Sequence, residues 1–166
     1  MAKKRDLSNI CQICLIVKDI KKSMQRYVDL GIGPFKVYSL DTRELPGIDY
    51  RNQEADYSLE VAWAPLPGGW TLELIQPHRG KNIYTEFYEK HGEGIHHFGV
   101  YVDDYETEYA KLLAMGYKQI QGGPIPGNDK EGSFDYFEGP DGLGTILEVL
   151  DMPEDLGEPS YIYPEA

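Results

Sequence analysis

The chain has 166 residues, 41% of them hydrophobic and 27% charged, which suits one globular domain, and no apolar run approaches the roughly 20 residues a membrane helix needs. Its formal net charge of −12 repels phosphate backbones, so neither nucleic acid nor an anionic membrane is expected as a partner. Met-Ala-Lys-Lys-Arg-Asp leads into a short strand with no small-residue cleavage site, so the expected location is cytoplasmic.

Residues 1–8 are polar and expected to be loosely held. Residues 10–17 are β-branched and apolar enough for a strand buried on both faces. This strand carries Cys11 and Cys14, whose C-x-x-C spacing invites a redox or zinc reading. Residues three apart on a strand face opposite ways, however, and no helix start follows to lower a thiol pKa, so both are read as packing residues. Asp19 stands at a helix N-cap, and Ile20, Met24, Tyr27 and Val28 make one apolar stripe that stops at Gly31. Gly33-Pro34 breaks the chain before an alternating strand at 35–40, and 41–56 reads as a long charged loop. Residues 59–63 and 70–75 form a hairpin across the turn material Pro65-Leu66-Pro67-Gly68-Gly69, completing β-α-β-β-β.

A linker over 78–94 includes a short helix around Tyr84–Tyr88. The order then repeats: a strand at 96–102, Asp104 as N-cap, a helix with Tyr105, Tyr109, Leu112 and Leu113 inward, and Gly116 as its stop. Strands follow at 117–121, 133–137 and 145–150, separated by a loop at 122–132 and a turn at Gly139-Pro140-Asp141-Gly142. The acidic tail, 152–166, has no periodicity and is expected to lie on the surface or stay mobile. The modules are thus 8–77 and 95–151, together making one domain over 1–166.

An offset of 85 residues carries Gln12 onto His97, Asp19 onto Asp104 and Gly31 onto Gly116, which marks a duplicated unit. Half a chain of this size buries little core alone, so the halves are expected to share one. Glu73 and Glu148 each interrupt the apolar strand that ends its half, at an offset of 75, and the loop at 41–56 absorbs the difference. Each half therefore offers a matched pair, Gln12 with Glu73 and His97 with Glu148. A carboxylate buried in a strand is costly unless paired or bound to a cation. If the halves pack about a pseudo-twofold axis, one amide oxygen, one imidazole and two carboxylates surround a divalent ion: Zn, Co, Ni, Mn or Mg. A lone strand Glu is more often an exposed edge residue, but the common register raises all four together. His96 faces away from His97, and His78 and His91 fall in connecting segments, so these three are read as structural or surface residues.

The duplication, Gln12, Leu72-Glu73-Leu74, Gly92-Glu93-Gly94-Ile95-His96-His97, Gly139-Pro140-Asp141-Gly142 and Leu147-Glu148-Val149 resemble the vicinal oxygen chelate superfamily over residues 8–151. That superfamily includes glyoxalase I, methylmalonyl-CoA epimerase, extradiol dioxygenases and bleomycin-resistance proteins. The resemblance implies an α+β fold of two tandem βαβββ modules forming a curved mixed β-sheet cleft. The Gln, Glu, His, Glu set resembles that of animal glyoxalase I, whereas the stretch 92–97 looks more like the epimerase, which has His at the place of Gln12. Glyoxalase I holds glutathione through positions that align here with Ile16, Pro77 and Glu93, none of which supplies the expected arginines and asparagine. An extradiol dioxygenase has a two-His, one-carboxylate iron site, whereas this chain offers one His and two carboxylates, so that activity ranks lower.

The function the resemblance implies is a metal-dependent isomerase, epimerase or lyase, most like methylmalonyl-CoA epimerase, removing a proton next to a carbonyl through a metal-stabilised enolate. Glu148 is the first candidate for ligand and base together, with Glu73 its pseudo-symmetric partner. Epimerases of this type also use a carboxylate before the third strand, where Glu54 stands nearest, with Asp56 and Glu60 close by. The expected partners are a small carbonyl substrate, a CoA thioester among them, and a second copy of the chain in a homodimer. Lys21, Lys22, Arg26, Arg79 and Lys81 are available to a phosphate. Two alternatives stand beside this reading. One is a metal-free binding protein of the bleomycin-resistance type that sequesters an aromatic ligand among some of the 13 tyrosines and 2 tryptophans. The other is a glyoxalase- or dioxygenase-like enzyme acting on an aromatic substrate.

Overall fold

The computed structural model describes residues 4–141 and 143–165; Gly142 of the expected turn, residues 1–3 and Ala166 lie outside the described residues. The first half forms β1 (Ile10–Ile16), α1 (Ile20–Asp29), β2 (Phe35–Asp41), β3 (Asp49–Tyr50), β4 (Gln53–Glu54), β5 (Ser58–Leu66) and β6 (Trp70–Arg79), followed by α2 (Ile83–His91). The second half forms β7 (Gly94–Tyr101), α3 (Tyr105–Ala114), β8 (Lys118–Ile125), β9 (Gly132–Glu138), β10 (Ile146–Asp151) and β11 (Tyr161–Tyr163). The fold class is α+β; β1-α1-β2-β5-β6 and β7-α3-β8-β9-β10 each run β-α-β-β-β, and β3, β4 and β11 are additions to them. Among the described residues no helix is long and apolar enough to cross a membrane.

The chain divides into two compact units. The first is drawn from residues 12–46, 55–96 and 158 onward, the second from residues up to 11, 47–54 and 97–157. In the first unit the strand order is β11-β2-β5-β6-β1, with β1 parallel to β6 and the other neighbours antiparallel. In the second it is β7-β10-β9-β8-β3-β4, with β7 parallel to β10 and the rest antiparallel. The registers are equivalent: Gln12 lies opposite Thr71 and Cys14 opposite Glu73, while His97 lies opposite Ile146 and Gly99 opposite Glu148. The repeat offsets of 85 and 75 read from the sequence are therefore the offsets of the paired strands.

Both principal helices start as their sequence implies: the Asp19 carboxylate accepts from the Lys22 N–H at 3.0 Å and that of Asp104 from the Thr107 N–H at 3.3 Å. Ile20 and Met24 of α1 pack with Phe35, Val37, Leu72 and Leu74 in the first unit's apolar cluster. Leu112 of α3 packs with Val100, Phe137, Leu147 and Val149 in that of the second. Cys11 and Cys14 are both buried and form no disulfide.

Four local expectations need correction. Leu113 is 48% exposed and Glu108 only 6%, because 108 is one turn from both 105 and 112; the Glu108 carboxylate pairs with Lys111 at 2.8 Å. The loop at 41–56 contains the hairpin of β3 and β4, turned at Arg51 and Asn52 with φ of 49° and 62°, and β3 adds to β8. Strand β8 continues to Ile125 instead of giving way to a loop after Gln121. The tail adds an edge strand, β11, whose Tyr161 and Tyr163 lie opposite Val37 and Phe35 and pack on the first unit's cluster.

In the second unit, the hydroxyl of Tyr105 donates to Asp135, and the Gln119 amide donates to Asp135 and to Asp49 at 2.9 Å each. Gly122, opposite both carboxylates, leaves them room, since a Cβ there would lie 1.8 Å from Asp135 Oδ1. Burial pushes Asp135 up to about 6 against the pull of the Tyr105 and Gln119 hydrogen bonds, with the Asp49 and Glu106 charges adding to the rise. A carboxyl raised above its unfolded value binds its proton more tightly when folded. Its contribution is therefore favourable below the unfolded value of 3.8 and is lost as pH rises through about 6. Asp135→Asn keeps an acceptor and removes the titration. Urea unfolding at pH 4.5 and pH 8 is expected to show the variant gaining about 1–2 kcal/mol on the parent over that interval. An equal difference at both pH values would contradict this.

Candidate metal centre

Strand alternation sets the two carboxylates. Leu72 and Leu74 turn toward the cluster under α1, so Glu73 between them turns the other way and is still only 4% exposed. Leu147 and Val149 turn toward the cluster under α3, leaving Glu148 on the opposite face at 3%. An isolated charge so placed costs several kcal/mol unless something neutralises it.

In the first unit, Gln12 Nε2 donates to one oxygen of Glu73 at 3.3 Å, and Trp63 Nε1 donates to the other at 2.6 Å. Both donors are neutral: they fix the orientation of the carboxylate and leave its charge. Trp63 lies opposite Glu73 on the neighbouring strand, and the Tyr38 ring stands 5.2 Å from the indole. In the second unit, His97 is completely buried and its Nε2 lies 3.1 Å from a Glu148 oxygen. Tyr136, opposite Glu148 on β9, presents its ring edge-on to the imidazole at 4.9 Å and 70°.

Each unit thus repeats one device, a buried strand carboxylate with a nitrogen- or oxygen-bearing side chain from the first strand and an aromatic ring from the neighbouring antiparallel strand. Trp63 and Tyr136 escape the sequence reading because their place beside the carboxylates depends on hairpin register. Polar-tipped aromatics on the same alternate face as a buried Glu are the signal that marks them.

Glu54 lies on β4, exposed, in register with Asp49 and at the outer edge of the second unit's strand order. Its neighbours are engaged elsewhere. Asp56 meets Arg43 at 3.0 Å and also Arg79, and the hydrogen bonds of those guanidiniums, Arg43 first, hold its carboxyl below the usual range. Glu60 meets His78 at 3.2 Å. His96 packs against Tyr84 and Phe87 at 5.4 and 5.1 Å, and the His91 ring lies 5.0 Å from that of Phe87.

The chain is similar in structure to methylmalonyl-CoA epimerase from Mycobacterium tuberculosis, with a TM-score of 0.64 and 17% identity over 90% of this chain and 91% of that one. It is similar to a hypothetical protein from Bacillus halodurans, with a TM-score of 0.66 and 21% identity over 89% and 96% of the two chains. A Streptomyces coelicolor methylmalonyl-CoA epimerase variant in complex with 2-nitronate-propionyl-CoA gives 0.62 and 18% over 86% and 95%. At such identities the likeness is one of fold. No curated protein matches the chain. Residues 11–136 match the Glyoxalase/Bleomycin resistance protein/Dioxygenase superfamily, and with the duplicated βαβββ architecture this places the chain in that superfamily.

Proposed function

We propose that Gln12, Glu73, His97 and Glu148 together hold one divalent ion, and that the protein is an isomerase, epimerase or lyase acting on a carbon acid beside a carbonyl, most like methylmalonyl-CoA epimerase. The observation that carries this reading is the repeated device: a buried carboxylate on the sheet face away from the helix, at equivalent registers in both units, oriented by neutral groups in the first and by an imidazole in the second. Two carboxylates, an imidazole and an amide oxygen suit a hard or borderline divalent cation such as Zn, Co, Ni, Mn or Mg. When bound, the ion would act as a Lewis acid and ease loss of the adjacent C–H proton.

The residues divide the remaining work. Glu148 accepts the proton from the substrate carbon as general base, and His97 beside it is a fixed ligand without a proton to move. Glu73, its orientation set by the Trp63 indole and the Gln12 amide, serves the opposite face, as an epimerisation requires if a proton leaves one face and returns to the other. Glu54 is the reserve candidate for that second role. Solved epimerases of this fold in complex with 2-nitronate-propionyl-CoA support a CoA thioester as substrate, and the assembly proposed is a homodimer. A second reading, a metal-free protein binding an aromatic ligand, draws on Tyr38, Trp63 and Tyr136 and ranks behind, because it gives the matched registers of Glu73 and Glu148 no role.

The test is epimerisation of methylmalonyl-CoA by metal-reconstituted protein, followed by chiral analysis of the product. Turnover is expected; racemisation no faster than the buffer control would exclude this substrate. Glutathione hemithioacetals are expected not to turn over beyond a weak background. Ile16 is a buried aliphatic residue, Pro77 is paired with Leu59 on β5, and Glu93 is an acid whose oxygen already accepts from the Lys18 N–H at 2.8 Å, so none grips a carboxylate. A rate near that of a dedicated glyoxalase would contradict this.

A further inference from the structure

Beside α1 the first unit carries a groove of about 610 Å³ onto which Lys18, Lys21, Lys22 and Arg26 open. Among the described residues none of the four forms an ion pair with a carboxylate, whereas Arg5, Arg43, Arg79 and Lys130 each lie 2.5–3.0 Å from one. A chain with 28 acidic and 16 basic side chains has no shortage of carboxylates for them. Three acids also line the groove and keep their charge, each held in place by a neutral donor: Asp19 by the Lys22 N–H at 3.0 Å, Glu93 by the Lys18 N–H at 2.8 Å and Glu60 by the Tyr161 hydroxyl at 3.3 Å, so the four cations outnumber the carboxylates by one. Gln76 gives its oxygen to the Ile20 N–H at 2.8 Å, leaving its amide N–H groups as donors. Tyr161, anchored through β11, lies under the Lys21 ammonium at 5.8 Å and borders the same cluster.

We propose that this groove is an anion subsite that receives the phosphate groups of a small phosphorylated ligand. Four unspent cations and one amide donor offer charge and hydrogen bonds to several phosphate oxygens at once. A polyanion is disfavoured by the net charge of −12, while a compact ligand meets the local field of the groove alone. The volume suits a pyrophosphate with part of the carrier attached. The identity of that carrier as CoA rests on the function proposed above; the anion subsite does not.

Calorimetric titration of the full chain separates the two. The probes are CoA, inorganic pyrophosphate and an acylated pantetheine that lacks the phosphates. The variants are Lys22→Ala/Arg26→Ala and, as a control outside the groove, Lys118→Ala. All three replaced side chains are exposed, so the fold is expected to persist, and circular dichroism checks this. CoA and pyrophosphate are expected to bind the parent and Lys118→Ala alike and the double variant at least tenfold more weakly, with pantetheine binding unchanged. Pyrophosphate binding that is lost in the double variant, with no CoA binding by the parent, would keep the subsite and overturn the CoA reading. CoA bound equally by parent and double variant would overturn the subsite and leave the CoA reading intact. Binding of neither phosphate compound by the parent would also overturn the subsite.

Discussion

His97→Ala is expected to lose the divalent ion, and His96→Ala to keep it. The two residues are adjacent and both buried, at 0% and 2% exposure, so composition and burial do not distinguish them. Direction does: His96 packs on Tyr84 and Phe87, whereas His97 lies 3.1 Å from Glu148. Removing the imidazole deletes the only nitrogen donor in the proposed set, and affinity should fall by about 100-fold or more. His96→Ala should instead lower thermal stability through the packing lost against two rings. Metal content after dialysis against a graded chelator, with unfolding followed in parallel, distinguishes the two effects. Metal lost from the His96 variant and kept by the His97 variant would mean that the strand register is wrong.

Glu148→Gln tests the proton. Glutamine keeps an oxygen donor in the same volume and cannot take a proton, so the variant should retain most of its metal while exchange of the substrate's α-hydrogen with deuterated solvent falls by about two or more orders of magnitude, the usual contribution of a positioned general base. Glu73→Gln should lower exchange less if Glu148 is the principal base, and about as much if each carboxylate serves one face. The Trp63 N–H, 2.6 Å from Glu73, still finds an oxygen in that variant if the amide turns its carbonyl toward it. A Glu148→Gln protein that keeps its metal and exchanges at the parent rate would move the base elsewhere, and Glu54 is the next residue to replace.

Much of this arrangement is legible from the chain because it depends on short-range periodicity. Glu73 between Leu72 and Leu74, and Glu148 between Leu147 and Val149, declare by alternation that they face away from the helices. The offsets of 85 and 75 in the sequence already align the two registers. Asp19 and Asp104 announce their helices by N-cap chemistry. What escapes reading depends on long-range pairing. Trp63 and Tyr136 acquire meaning only once β5 and β9 are set beside the carboxylate strands. The hairpin of β3 and β4 has strands of 2 residues each, too short to alternate, and β11 has 3, supported by its pairing with β2. On α3 the apolar periodicity of the sequence runs to Leu113, while the position one turn from both Tyr105 and Leu112 belongs to Glu108, whose aliphatic stem is buried and whose charge is met by Lys111.

The central claim, that this chain moves a carbon-bound proton with the help of a divalent ion, is tested most directly by single-turnover deuterium incorporation into methylmalonyl-CoA, measured on metal-stripped and metal-restored samples whose ion content is determined in the same tubes. The account predicts about one ion per chain in the restored protein, incorporation at the α-carbon in that sample, and a rate near the uncatalysed background in the stripped one. Equal incorporation by stripped and restored protein, or restored protein that exchanges rapidly without holding an ion, would contradict it.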